Sequence, residues 1–105
     1  MKKIKNKQLK RFENRVMTEF ANRLDIAPMQ IIKHNKRSEI SDIRHLYCKL
    51  RHDSHGVSYS ATGREINRNH ATVRYAVMRI NNLLQFNDKE TVAMWNKVKD
   101  IDCEG

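Results

Sequence analysis

The stretch of sequence that decides the fold runs from Ser58 to Val73 and reads SYSATGREINRNHATV. Ser58 and Asn69 are residues of the kind that cap helix N-termini. They predict two consecutive helices separated by a short turn, and the bounds are Tyr59 to Ile66 for the first helix and His70 to about Gln85 for the second. Two helices joined by so tight a turn, the second longer than the first, form a helix-turn-helix pattern.

Apolar residues at helical spacing predict three helices before this pair and one after it. The first covers about residues 8–24, with an apolar face formed by Leu9, Phe12, Val16, Phe20 and Leu24. Pro28 suits the first turn of the second helix, where no backbone N–H is needed. Ser38 or Ser41 is expected to cap the third helix, whose buried stripe is Ile40, Ile43, Leu46, Tyr47 and Leu50. Asn87 and Glu90 resemble the capping box of the last helix.

Length and composition favour a single all-α domain. The 105 residues, 39% of them hydrophobic, can form one compact core. Three glycines and one proline give little support to strand-and-turn folds. We therefore expect a compact bundle of about five to six helices over residues 8–100, between a basic tail at 1–7 and a C-terminal tail at 101–105.

The charge favours a polyanion as the partner. The formal net charge is +9, and a field of one sign on a small protein is typical of nucleic-acid binding. Residues 1–86 hold 18 Lys and Arg against 7 Asp and Glu, whereas residues 87–105 hold 3 against 5. The C-terminal stretch is therefore not expected to contact phosphate.

Several classes of protein find no support in the sequence. There is no apolar run of about 20 residues and no signal peptide, so we expect no membrane partner and a cytoplasmic, nucleoid-associated protein. Cys48 and Cys103 are expected to be free thiols. No catalytic template and no phosphate-binding G-x-x-x-x-G-K-[ST] loop is present, so no enzyme activity, catalytic residue, cofactor or small-molecule substrate is expected.

The first turn of the second helix of the pair carries side chains suited to reading base edges in a major groove. Asn69, His70 and Thr72 can hydrogen-bond to bases, and Ala71 or Thr72 can meet a thymine methyl group. Arg74 and Tyr75 follow one turn later and can reach base or phosphate. The residues suited to phosphate contacts are Arg64, Arg68, Arg79 and Lys49.

The segment from Arg68 to Val73 resembles the signature of a known family. It reads RNHATV, similar to Arg-Asp-His-Ser/Thr-Thr-Val in the C-terminal DNA-binding domain of the bacterial replication initiator DnaA, a Trp-repressor-like helix-turn-helix fold. The stretches 58–63 and 40–45 resemble two further family segments, so the resemblance covers about residues 21–84. It implies sequence-specific binding of double-stranded DNA in replication or transcription control, and the missing phosphate loop implies no ATPase activity.

The resemblance also implies roles for single residues. Lys36 or Arg37 is expected to enter a minor groove, and Arg44 is expected to contact phosphate. Bases are expected to be read by Asn69 and His70, and further family contact positions are matched by Ser60, Thr72 and Tyr75. Asn69 replaces the family's aspartate and Arg74 replaces an aliphatic residue, so a target site different from the initiator's is expected.

Other interpretations of the same residues carry less weight. His45, Cys48, His52 and His55 share one helical face, but four ligands on one straight helix cannot surround a zinc ion. A helical protein-interaction module with non-specific nucleic-acid binding is the main alternative, supported if Phe86, Met94 and Trp95 are exposed. A protein partner or a homodimer is compatible with DNA binding as well. RNA and membrane surfaces are less favoured, because RNA-binding motifs are missing and Glu13 and Glu19 interrupt the basic face of the first helix.

Overall fold

A computed structural model describes residues 14–34 and 37–103, and the described chain is built from six α-helices without any strand. This confirms the predicted all-α bundle. A π-helical segment, Leu50–Ser54, continues the third helix. The helices in chain order are α1 Arg15–Arg23, α2 Pro28–Ile32, α3 Ser38–Lys49, α4 Tyr59–Ile66, α5 His70–Gln85 and α6 Lys89–Val98.

The predicted helix pair is confirmed at the level of secondary structure, with α4 and α5 at the expected bounds. Ser58 caps α4 by accepting a hydrogen bond at Oγ from the Ala61 backbone N–H at 3.0 Å. Asn67 ends α4 in the left-handed region at φ 58°, which asparagine tolerates better than most residues. The chain then turns and enters α5 with Asn69 as its N-cap.

Two predicted helix starts are wrong, and one predicted helix is interrupted. The helix predicted over about residues 8–24 does not run through Asn14, because Asn14 is extended and caps α1, which begins at Arg15, with its own side chain; Leu9 and Phe12 lie outside the described residues. Neither Ser38 nor Ser41 caps α3, because the helix already includes Ser38. The cap of α6 is not Asn87, which has φ 56°, but the next residue, Asp88, whose side chain accepts from the Thr91 N–H.

The core forms around α3, which contacts α2, α4 and α5. All five residues of its predicted stripe are buried: Ile40, Ile43, Leu46, Tyr47 and Leu50. Phe20 of α1 packs edge-on against Tyr47, with 5.3 Å between ring centroids. Ile101 is also buried, so the packed chain extends into the segment predicted to be a C-terminal tail.

A polar network links the end of α3 to α4 and to the C-terminal residues. The Tyr47 hydroxyl donates to Glu65 Oε1 at 2.5 Å, and Arg51 grips both oxygens of the same carboxylate at 2.9 and 2.8 Å. Arg51 Nη1 also donates to His55 Nδ1 at 2.9 Å, so His55 Nε2 carries the proton that bonds to the Ile101 carbonyl at 2.7 Å. Burial, together with the Glu65 carboxylate, raises the pKa of Tyr47.

Candidate nucleic-acid interface

The start of α5 presents a row of four exposed side chains, those of Asn69, His70, Ala71 and Thr72. Asn69 Oδ1 accepts a hydrogen bond from the Thr72 backbone N–H at 2.9 Å. Because this bond fixes the Asn69 side chain, its amide group keeps one orientation at the surface. The row therefore combines an amide, an imidazole, a methyl and a hydroxyl group on a preorganised helix end.

Arg74 and Tyr75 extend this exposed surface by one helical turn. Arg74 makes no hydrogen bond or ion pair with the residues that the structure describes. Tyr75 is 61% exposed and meets His45 edge-on at 6.1 Å between ring centroids. Further along, the half-buried Arg79 forms an ion pair with Asp42 at 2.8 Å. Arg79 is therefore partly neutralised, whereas Arg74 keeps its charge available for a ligand.

Two exposed side chains of α4, Ser60 and Arg64, were also predicted to belong to the site. Gly63 lies directly before Arg64, and its carbonyl accepts from the Arg68 backbone N–H at 2.9 Å. A Cβ atom at Gly63 would overlap the Arg68 carbonyl oxygen. The glycine therefore lets the turn before α5 close tightly on α4.

Arg44 does not reach the surface as the phosphate contact requires. Its side chain is buried, and Nε donates to the Ile31 carbonyl at 2.7 Å while one terminal nitrogen donates to the Lys33 carbonyl at 3.1 Å. Burial lowers the pKa of Arg44, and the nearby charge of Arg68 lowers it further. The structure thus gives Arg44 a structural role in place of the predicted phosphate contact.

Arg68 is half-buried and is likewise occupied by backbone carbonyls. Its Nη1 donates to the Ile32 carbonyl at 2.9 Å and to the Ile66 carbonyl at 2.8 Å, and its Nη2 donates to the Lys33 carbonyl at 2.9 Å. Burial lowers the pKa of Arg68. Most of the Arg68 N–H donors thus point into the protein, whereas the Arg64 side chain is exposed.

The basic loop between α2 and α3 is only partly described. Lys36, one of the two residues predicted for the minor groove, lies outside the described residues. Arg37, the other, is exposed and occupies the N-cap position of α3. Arg37 takes part in an interaction within the protein, so it is not without a partner.

The four side chains once considered as metal ligands are engaged separately. Cys48 is a buried free thiol, and burial raises its pKa to about 12. His52 stacks on Tyr59 at 3.9 Å between ring centroids, and His55 belongs to the polar network of Arg51. Burial, with the charge of Arg79 second, lowers the pKa of His45 to about 4. Within the described residues no three potential ligands converge on one point.

Comparison with protein families, with curated proteins and with solved structures finds no significant match for the chain. None of the described helices is long and apolar enough to cross a membrane.

Sequence reasoning missed the roles of the buried Arg44 and the half-buried Arg68. Both bind carbonyl oxygens of α2 and of Lys33 directly after it, which lie 11 to 36 positions away along the chain. A contact from a side chain to a distant main-chain atom leaves no periodic trace in the sequence. The small size of α2 is the one available signal, because so short a helix leaves most of its carbonyl groups unpaired.

Proposed function

We propose that this protein binds double-stranded DNA in a sequence-dependent manner, with the start of α5 in the major groove. The observation that carries the proposal is the exposed row Asn69 to Thr72 at the capped end of a 16-residue helix. In DNA-binding helix-turn-helix proteins the side chains at this end of the second helix reach base edges. The net charge of +9 supplies the attraction to phosphate that such a helix needs.

Each exposed group has a role that its chemistry supports. The Asn69 amide can both donate to and accept from a base edge, the His70 imidazole can hydrogen-bond to a base, and Ala71 and Thr72 can contact a thymine methyl group. Arg74 lies one turn further and serves either a base or a phosphate. Phosphate contacts are assigned to Arg64, Tyr75 and Arg79, with Ser60 at the edge of the groove.

The likeness to the DnaA C-terminal domain is part of the same proposal. It adds a second contact, in which Arg37 or Lys36 enters a minor groove beside the major groove occupied by α5. Control of replication or transcription at a site on nucleoid DNA would follow, without any ATPase step. The exchange of aspartate for Asn69 predicts a base preference of its own for this chain, because an amide donates as well as accepts.

Selection of bound sequences from a random duplex library, followed by titration of the selected duplex, tests the proposal directly. His70→Ala should weaken binding to the selected duplex by about 1–3 kcal/mol and relax the preference at one position. The same change should leave binding to random duplex nearly unaltered. An equal loss on both duplexes would contradict base reading by His70, and a library without enrichment would contradict the proposal itself.

A protein-interaction module remains a second candidate because of three exposed apolar side chains on α5 and at its end. Phe86 is 80% exposed, Tyr75 61% and Met78 50%. Met94 and Trp95, which were also considered for this role, are instead partly buried against the core. Crosslinking of the protein at low concentration, compared with a Phe86→Ser variant, tests whether this surface joins two copies.

A further inference from the structure

The C-terminal end of α2 is capped by two arginine side chains. The last carbonyl groups of a helix have no partner within it. Among the backbone bonds of the described residues, only the Met29 carbonyl of α2 accepts from the following turn, at 3.0 Å from the Lys33 nitrogen. The next four carbonyls accept from guanidinium groups instead. These carbonyls are those of Gln30 and Ile31, bound by Arg44, of Ile32, bound by Arg68, and of Lys33, bound by both.

The Lys33 carbonyl oxygen joins three parts of the fold. It accepts from Arg44 of α3 at 3.1 Å and from Arg68 at 2.9 Å. Arg68 also holds the Ile32 carbonyl, and it lies in the turn between α4 and α5, directly before Asn69. The end of α2 is thus fastened to the residue that precedes the exposed row of α5.

Two features of this arrangement point beyond simple helix capping. No carboxylate pairs with Arg44 or Arg68 among the described residues, although two like charges side by side repel each other. Neutral donors could cap a five-residue helix at a lower desolvation cost than two charged guanidinium groups. What the planar, five-donor guanidinium of Arg68 adds is a fixed distance between two backbones, because it binds several carbonyls in one geometry.

We propose that Arg68 is a positioning residue for DNA recognition, which fixes the chain leaving α2 relative to the first turn of α5. The inference rests on the proposed function. If the row Asn69 to Thr72 reads base edges, the orientation of the first turn of α5 relative to the rest of the protein decides whether these side chains reach them. Arg68 sets this orientation from within the protein, by holding the turn before Asn69 against the end of α2, and does not itself bind phosphate.

Three variants test this assignment in fluorescence anisotropy titrations against the selected and random duplexes at several salt concentrations. Arg68→Gln removes both the positive charge and the planar set of guanidinium N–H donors, whereas Arg68→Lys keeps only the charge. Arg64→Gln is the matched control, because it removes an exposed arginine of the same surface. Both changes at Arg68 should weaken binding to the selected duplex by about tenfold or more. They should leave binding to random duplex within about twofold.

The salt dependence separates positioning from phosphate binding. Arg64→Gln should flatten the slope of log K against log salt by about 0.9, which is the value for one phosphate contact on B-DNA. Arg68→Gln should leave this slope unchanged. Flattening by Arg68→Gln to the same extent as by Arg64→Gln would overturn the inference, and so would full affinity of Arg68→Lys, since charge alone would then suffice.

A measurement on the unaltered protein does not depend on whether the variants fold. In NMR spectra, the Arg68 guanidinium protons should exchange slowly with water and keep their shifts when random duplex is added, while the Arg64 signals should move. Movement of the Arg68 signals like those of Arg64 would overturn the inference. A protein that prefers no duplex sequence would refute the proposed function first, and that result is visible in the wild-type titration alone.

Discussion

Gly63 lies against the backbone of Arg68, where α4 meets the turn into α5. A Cβ atom at this position would overlap the Arg68 carbonyl oxygen, which belongs to the main chain and cannot swing away. Gly63→Ala should therefore lower the free energy of unfolding by about 1–3 kcal/mol, even though alanine favours a helix more than glycine does. Urea denaturation measures this loss.

Ser60→Ala is the control for this change, because it alters an exposed position of the same helix. It should change the free energy of unfolding by less than about 0.5 kcal/mol. A Gly63→Ala variant as stable as Ser60→Ala would show that the turn before α5 yields without strain.

His45 makes the fold sensitive to acid. Burial first and Arg79 second lower its pKa from 6.5 to about 4, while Asp42 opposes them and Arg44 adds to them. Between these two pH values the unfolded chain binds the proton and the folded chain does not, so stability falls as the pH drops from about 6.5 to 4. His45→Gln should reduce the loss of stability between pH 7 and pH 5 by about 1 kcal/mol, after allowance for solvent screening.

Urea titrations at the two pH values measure this difference. His34→Gln serves as the control, since His34 is exposed in the loop after α2. It should lose stability on acidification as the unaltered protein does. If His45→Gln behaves in the same way as His34→Gln, the imidazole of His45 is not held neutral by its surroundings.

At the scale of the helix, Ser58 and Ser38 have similar positions in the sequence, but only Ser58 caps a helix. Ser58 Oγ accepts the Ala61 N–H, which is one of the unpaired donors at the start of α4. Ser38 was predicted to cap α3 but is its first helical residue, with no cap bond from the Arg37 side chain before it. Ser58→Ala should cost about 1 kcal/mol of stability. Ser38→Ala should be neutral or slightly stabilising, because Ser38 does not cap α3 and alanine has a higher helix propensity than serine.

Thermal unfolding followed by circular dichroism compares the two serine variants under the same conditions. The pair is matched in chemistry, because each change deletes one hydroxyl group. Equal melting temperatures for Ser58→Ala and Ser38→Ala would contradict the assignment of the cap to Ser58.

At the scale of the whole molecule, the parts of the fold that depend on residues close together in the sequence were predictable. The caps at Ser58 and Asn69 and the buried stripe of α3 are encoded within one or two helical turns, and all are present. At α6 the prediction missed by one position, because Asn87 and Asp88 are both good caps and only the structure shows which of them adopts positive φ. The row of exposed side chains at the start of α5 followed directly from the cap at Asn69.

The roles of the arginines were not predictable in the same way. Arg44, Arg64, Arg68 and Arg79 were all predicted to contact phosphate, yet of these four only Arg64 is exposed without a partner among the described residues. Which arginine is buried depends on backbone carbonyls brought close by tertiary packing. The sequence therefore determines the net charge of +9 but not how that charge is distributed between surface and interior.

The distribution of arginine charge between surface and interior predicts how strongly duplex DNA binding by the whole molecule depends on salt. With Arg64 and Arg74 exposed beside the start of α5, and Arg79 shared with Asp42, a small number of phosphate contacts is expected. The slope of log K against log salt should then be about −3.6 to −4.5, as expected for roughly four or five contacts on B-DNA. Lys97→Gln removes the same charge as Arg64→Gln but from α6, in the stretch where acidic residues outnumber basic ones. Only Arg64→Gln should flatten the slope, and equal flattening by Lys97→Gln would mean that the overall field, and not this surface, attracts the duplex.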